Sequence, residues 1–339
     1  MTPVPVRLAL RRTVNHIQHV RAVRPAAATG LVREVYRQVE HDFGMLAPPV
    51  ALHSAAPGAL AASWVILRET LVARGLAGRK AKETVAAAVS SRNACPYCVE
   101  VHTAAIGGNA ATSDITAAAG EAVPDPELGL ANWVYGGEPP LLPDGELIEL
   151  AGVAVTFEYL NRMVNLFLPE SPLPRGAPAI ARKGAHRLFA RLASAGPHNR
   201  PGESLRLLAD ESLPQDFQWA SKHTTVAAAF GRAAGAFEEA GNRAVSDPVR
   251  ALVLDTLDGW NGKPPGIGRS WVEPLIARVS SADRPAARLL LLTAIAAYQV
   301  DDEAVADFRE SDPGDRRLIE CTSWASFAAA RRARQVLYG

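Results

Sequence analysis

Apolar residues recur at three- and four-residue intervals along most of this chain, the period of helices buried on one face. The spacing predicts helices over roughly 29–42, 58–74, 79–92, 95–107, 112–119 and 146–167. Breakers fall between them: Ala47-Pro48-Pro49, Gly75 and Gly78, and the pair Gly107-Gly108. A Pro-rich run over 168–178 reads as a linker. No stretch of useful length alternates apolar and polar residues, so the expected fold class is all-α. Ala, Leu, Val and Arg dominate the chain while aromatics make up only 6%. Ala, Leu and Arg lose little freedom in a helix, and they strengthen that expectation.

The pattern also repeats. Residues 63–98 open with Ser-Trp-Val, pass a polar turn to Arg79 and continue into an Ala-rich helix; residues 270–303 do the same, with Arg284 in the place of Arg79. Upstream, 32–44 aligns with 249–262, and downstream 157–162 aligns with 327–332. Three matches in one order predict a duplicated unit, against the plainer account that Ala-rich helices resemble one another by composition. The expected organisation is a first module over 1–170, a linker and connecting helix over 171–205, and a second module over 206–339.

At 339 residues the chain is long enough for two modules of ordinary size. Lys plus Arg number 36 and Asp plus Glu 35, so no global field draws the chain to nucleic acid or an anionic membrane. The basic stretch RRARQV near residue 331 fits a solvated helix face. The first residues lack the apolar core of a signal peptide, and the run at 289–297 is half of what a membrane span needs. Three cysteines do not make a disulfide scaffold. The expectation is a cytoplasmic protein, in which a Cys-x-x-Cys pair is more often reactive than structural.

One constellation carries chemistry. Glu83 is followed after eleven residues by Cys95, then by Pro96, Tyr97 and Cys98, and after three more by His102. Pro96 suits a first helical turn, where its missing N–H costs nothing. Cys95, Cys98 and His102, three and four apart, then share one helix face. A thiol at a helix start meets the positive end of the dipole, so Cys98 is expected to be the better thiolate, with Cys95 one turn away and able to close a disulfide onto it. If the preceding helix reverses through Ser91-Arg92-Asn93, Glu83 lies about 14 Å back from the turn and His102 about 10 Å beyond it, at nearly one height. A carboxylate beside an imidazole fixes its tautomer and raises its basicity, which suits proton transfer from a thiol. The blander readings are half of a zinc site, for which a second pair is missing, and two buried structural cysteines. Neither His16 and His19, three apart, nor the remaining histidines predict a metal site, and Cys321 reads as a small buried residue.

At these residues the chain resembles the alkylhydroperoxidase D-like members of the carboxymuconolactone decarboxylase superfamily. The Glu-(eleven)-Cys-(two)-Cys-(three)-His spacing matches without a gap, and the likeness extends through Asp42-Phe43-Gly44 and Phe157 to Asn161-Arg162, over about residues 25–170. The resemblance implies an alkylhydroperoxidase D-like helical fold in tandem. It also implies Cys98 as the peroxidatic cysteine, Cys95 as the resolving one, and Glu83 and His102 as a proton relay. In the repeat alignment Arg288, Val300, Glu303 and Asp307 stand where these four stand, so the second copy is expected to keep the helices without the chemistry. The best-studied peroxidase members carry a second His just before the second Cys, where this chain has Tyr97.

The expected function is therefore a thiol peroxidase or disulfide oxidoreductase acting on alkyl hydroperoxides without cofactor or metal. The resemblance implies a dithiol reductant, either a lipoyl protein or a thioredoxin-like partner, and a homo-oligomer. The alternatives are a lyase like the superfamily's lactone decarboxylase, which generally works without a cysteine pair, and a non-catalytic redox sensor.

Overall fold

The computed structural model describes residues 12–107, 126–173 and 199–338, together with Gly184 and Arg187. Its regular structure is helical, with no strand among the described residues, as the periodicity predicted. In chain order the main helices are α1 (Gly30–Asp42), α2 (Pro57–Leu67, continued by a π-helical turn Arg68–Val72), α3 (Arg79–Arg92), α4 (Pro96–Ile106), α5 (Pro126–Val134) and α6 (Asp144–Phe167). There follow α7 (Thr224–Ala244), α8 (Asp247–Asp258), α9 (Arg284–Ala296), α10 (Asp302–Ser311) and α11 (Asp315–Leu337). The bounds of α3 are those predicted from sequence, and α1, α4 and α6 fall within two residues of theirs. The predicted helix over 112–119 lies outside the described residues, as does the linker from 174 to 178. No helix among the described residues is long and apolar enough to cross a membrane.

Two helices form the centre. In α2 every residue from Ala59 to Leu67 is buried, and a helix with no polar face has to sit inside a core. α6 is buried along almost its whole length because α3 and α11 both pack along it. α2 lies against α7, and α7 and α9 lie against α11, so a single apolar cluster runs from Val14 to Tyr338. The segments expected as two modules thus share one core. Polar contacts cross the same boundary: Arg162 Nε donates to the Ala294 carbonyl at 2.8 Å, and Tyr338 Oη donates to Glu158 Oε1 at 2.9 Å. Along the chain, α8, the turns over 270–276, α9, α10 and α11 follow the order of α1, α2, α3, α4 and α6. Arg288 lies on α9 as Glu83 lies on α3, and Val300 precedes α10 as Cys95 precedes α4.

A buried ionic cluster fixes the wall of the site described below. Arg68, fully buried, donates from Nε to Asp42 (2.5 Å), from Nη1 to Glu69 (2.7 Å) and from Nη2 to Glu203 (2.8 Å). Glu69 accepts in turn from the backbone N–H and the hydroxyl of Ser204. A buried guanidinium is tolerated only when paired and fully hydrogen-bonded, and here three carboxylates do this. The cluster ties residues 199–204 to α1 and α2.

Candidate active site

The site is built on the α3–α4 hairpin. α3 closes with Ala94 N donating to the Ser91 carbonyl (3.1 Å) and Cys95 N to the Ser90 carbonyl (2.9 Å), the paired bonds of a Schellman cap. That cap needs a left-handed residue. Ala94 supplies it at φ +48°, without the freedom of glycine. The chain reverses, Cys95 becomes the N-cap of α4 and Pro96 its first residue. Gly107, at φ +82°, ends α4.

This reversal brings Glu83 and His102 level, as the rise per residue predicted. His102 Nδ1 lies 2.6 Å from Glu83 Oε2. The other carboxylate oxygen accepts from Arg79 Nε at 2.7 Å. Burial by itself would raise the Glu83 carboxyl, but His102 and Arg79 outweigh it and hold the group below its ordinary value. An ionised Glu83 only accepts, so the proton of this bond sits on His102 Nδ1. The imidazole is held edge-on against Phe157, with ring centroids 4.5 Å apart.

Cys95 and Cys98 are both buried and present as free thiols. Burial lifts the Cys98 thiol well above its ordinary value, the Cys95 sulfur pushes the same way, and a hydrogen bond from Asn161 opposes them without prevailing. Desolvation of the sulfur thus works against the helix-start field expected from sequence. Cys98, His102, Glu83, Arg79 and Tyr97 open onto one cavity of about 80 Å³, otherwise walled by apolar groups such as Phe43, Met45, Leu71, Phe157 and Leu160. Cys95 does not line it. It lies behind the cavity, one turn from Cys98.

The reversing turn is held from behind. Asn93 Nδ2 donates to Glu158 Oε2 (3.2 Å) and to Asn161 Oδ1 (3.3 Å), and Asn161 Nδ2 donates to Ser90 Oγ (3.0 Å). Glu158 also accepts from Arg92, from Arg162 Nη1 (2.8 Å) and from Tyr338. The four residues singled out in the sequence are thus brought together. Arg79, Phe157 and Asn161 were not assigned to the site in advance: Arg79 marked only the repeat, and Phe157 and Asn161 only the extent of a likeness. The i,i+4 spacing of Arg79 and Glu83 was the one local signal available.

The remaining candidates lie elsewhere. Cys321 is buried and its Sγ donates to the Ala244 carbonyl at 3.3 Å. His19 sits 3.7 Å from Asp302, and His223 Nε2 lies 2.9 Å from Glu149. No group of three His, Cys, Asp or Glu that could hold a metal occurs among the described residues.

Fold and site define an all-helical protein with a paired-cysteine centre served by a buried His–Glu couple. The carboxymuconolactone decarboxylase family profile matches residues 58–129, which hold Glu83, Cys95, Cys98 and His102. A protein of Mycobacterium tuberculosis (strain H37Rv) named alkyl hydroperoxide reductase is 35% identical over 329 residues, covering 94% of each chain. No solved structure gives a significant match. The chain belongs to the carboxymuconolactone decarboxylase family.

Proposed function

We propose that this protein reduces organic hydroperoxides through Cys98. The observation that carries the reading is the Glu83–His102 couple opening onto the same apolar cavity as the Cys98 thiol. His102 Nε2 takes the thiol proton, and the sulfur attacks the distal oxygen of the hydroperoxide. The S–O bond forms as the O–O bond breaks, the peroxide is reduced to an alcohol, and Cys98 is oxidised to a sulfenic acid. The Cys95 thiol then displaces water from that sulfur to give the Cys95–Cys98 disulfide. A dithiol, from a lipoyl protein or a thioredoxin-like partner, reduces the disulfide and resets the site. The apolar walls favour an organic hydroperoxide over hydrogen peroxide. The name of the mycobacterial relative supports the same substrate class. In this reading the second half is a duplicated unit that has kept its helices and lost its chemistry.

The test is peroxide-dependent turnover measured in parallel with dihydrolipoamide, thioredoxin and glutathione, with sulfenic acid trapping in the Cys95→Ser variant. Turnover with a dithiol and a label on Cys98 support the reading. One oxidation per chain without turnover identifies a redox sensor instead. A label on Cys95 in Cys98→Ser reverses the two cysteine roles.

A further inference from the structure

Five polar side chains face the cavity: Arg79, Glu83, Tyr97, Cys98 and His102. Three of them are committed to one another, because Glu83 takes Arg79 on one oxygen and His102 on the other. Cys98 is the reacting atom. That leaves Tyr97, the residue directly before the nucleophile, buried to 8% exposure and with no hydrogen bond to its hydroxyl among the described residues. A hydroxyl with no protein partner, on a residue that lines the cavity beside the nucleophile, is free to bond whatever occupies that space. Its side chain lines the wall of the space in which the substrate must stand.

Resting on the peroxidase reading above, we propose that Tyr97 is a catalytic residue whose hydroxyl donates to the leaving oxygen of the hydroperoxide as the O–O bond breaks. The proton balance then closes inside the cavity. Cys98 gives its proton to His102 Nε2, the thiolate takes the distal OH and becomes the sulfenic acid, and the departing alkoxide takes the phenolic proton to leave as the alcohol. The phenolate recovers a proton from the His102 imidazolium, directly or through the product alcohol. The net change is thiol plus hydroperoxide to sulfenic acid plus alcohol. An alkoxide is more basic than a phenolate, so transfer from the phenol runs downhill. Burial, reinforced by the two nearby cysteines, pushes the Tyr97 hydroxyl above its ordinary value, which keeps it protonated and narrows that gap. A proton donor separate from His102 lets thiol deprotonation and alcohol departure proceed in one step.

Tyr97→Phe tests this, since it removes one oxygen and keeps the ring that packs the wall. The measurement is the rate of Cys98 oxidation in a single turnover for peroxides with leaving groups of graded basicity: tert-butyl hydroperoxide, cumene hydroperoxide and a peroxycarboxylic acid. The expected loss is roughly ten- to a hundredfold with tert-butyl hydroperoxide, in the range of general-acid contributions, and little or none with the peroxy acid, whose carboxylate leaves unaided. Thermal stability is expected to hold, because the ring that packs the wall is kept. Equal losses for all three peroxides, or no loss for any, overturn the proposal and leave the peroxidase reading standing. Absence of Cys98 oxidation by every peroxide in the unaltered protein removes both.

Discussion

His102 Nδ1 and Glu83 Oε2 lie 2.6 Å apart, across two helices and nineteen positions of sequence. This contact is what converts a buried, resting thiol into a usable nucleophile in the proposed mechanism. Glu83 fixes the tautomer and stabilises the imidazolium that forms when His102 takes the Cys98 proton. Glu83→Gln and His102→Gln should each lower peroxide turnover by roughly two to four powers of ten. The double variant should be little worse than either single one, as for groups acting as a unit. Additive losses in steady-state kinetics would show that the two do not share a proton path.

Ala94 occupies the left-handed position of the cap that turns α3 into α4, at φ +48°. A side chain in that conformation costs about 1 kcal/mol, a cost glycine avoids. Ala94→Gly should therefore raise unfolding stability by up to about 1 kcal/mol in urea titration. Ala94→Val, β-branched, should lower it. A glycine variant less stable than the parent would mean that the turn is not strained.

His53 is wholly buried, its Nδ1 bonded to the Val50 carbonyl and its Nε2 accepting from the Tyr159 hydroxyl at 2.7 Å. Burial pulls it down to about 4. The unfolded chain takes up a proton on His53 below pH ~6.5, whereas the folded protein does so only near the lower value. Its stabilising contribution is therefore complete above pH ~6.5 and is lost as pH falls towards about 4, at most about 3 kcal/mol in all. In denaturant titrations at stepped pH, His53→Asn should flatten the slope across that window. An unchanged slope would place the acid sensitivity on other groups.

The second half is proposed as a scaffold. A chain ending after residue 173 exposes the faces of α2 and α6 that α7 and α11 cover, and it should aggregate or self-associate. A monomeric, fully active fragment in size-exclusion and turnover assays would refute the scaffold role. Cys321→Ser, far from the cavity, should leave turnover unchanged.

Much of this protein was legible in its sequence because the relevant physics is local. Helix period, proline and glycine breaks and the spacing of Cys95, Cys98 and His102 depend on residues within a turn or two of one another. Even the meeting of Glu83 with His102 follows from rise per residue once the chain reverses at Asn93. The tertiary structure decided what depends on distant atoms. The Cys98 thiol is raised by its burial among groups from α3, α4 and α6, which works against the helix-start field that sequence spacing suggested. Arg79 was visible as a neighbour of Glu83, but its place in the wall of the cavity was not. Asn161 and Glu158 reach the α3–α4 turn only because α6 packs on α3, and Tyr338 only because α11 packs on α6. Desolvation and packing are properties of the assembled core, so spacing along the chain does not reveal them.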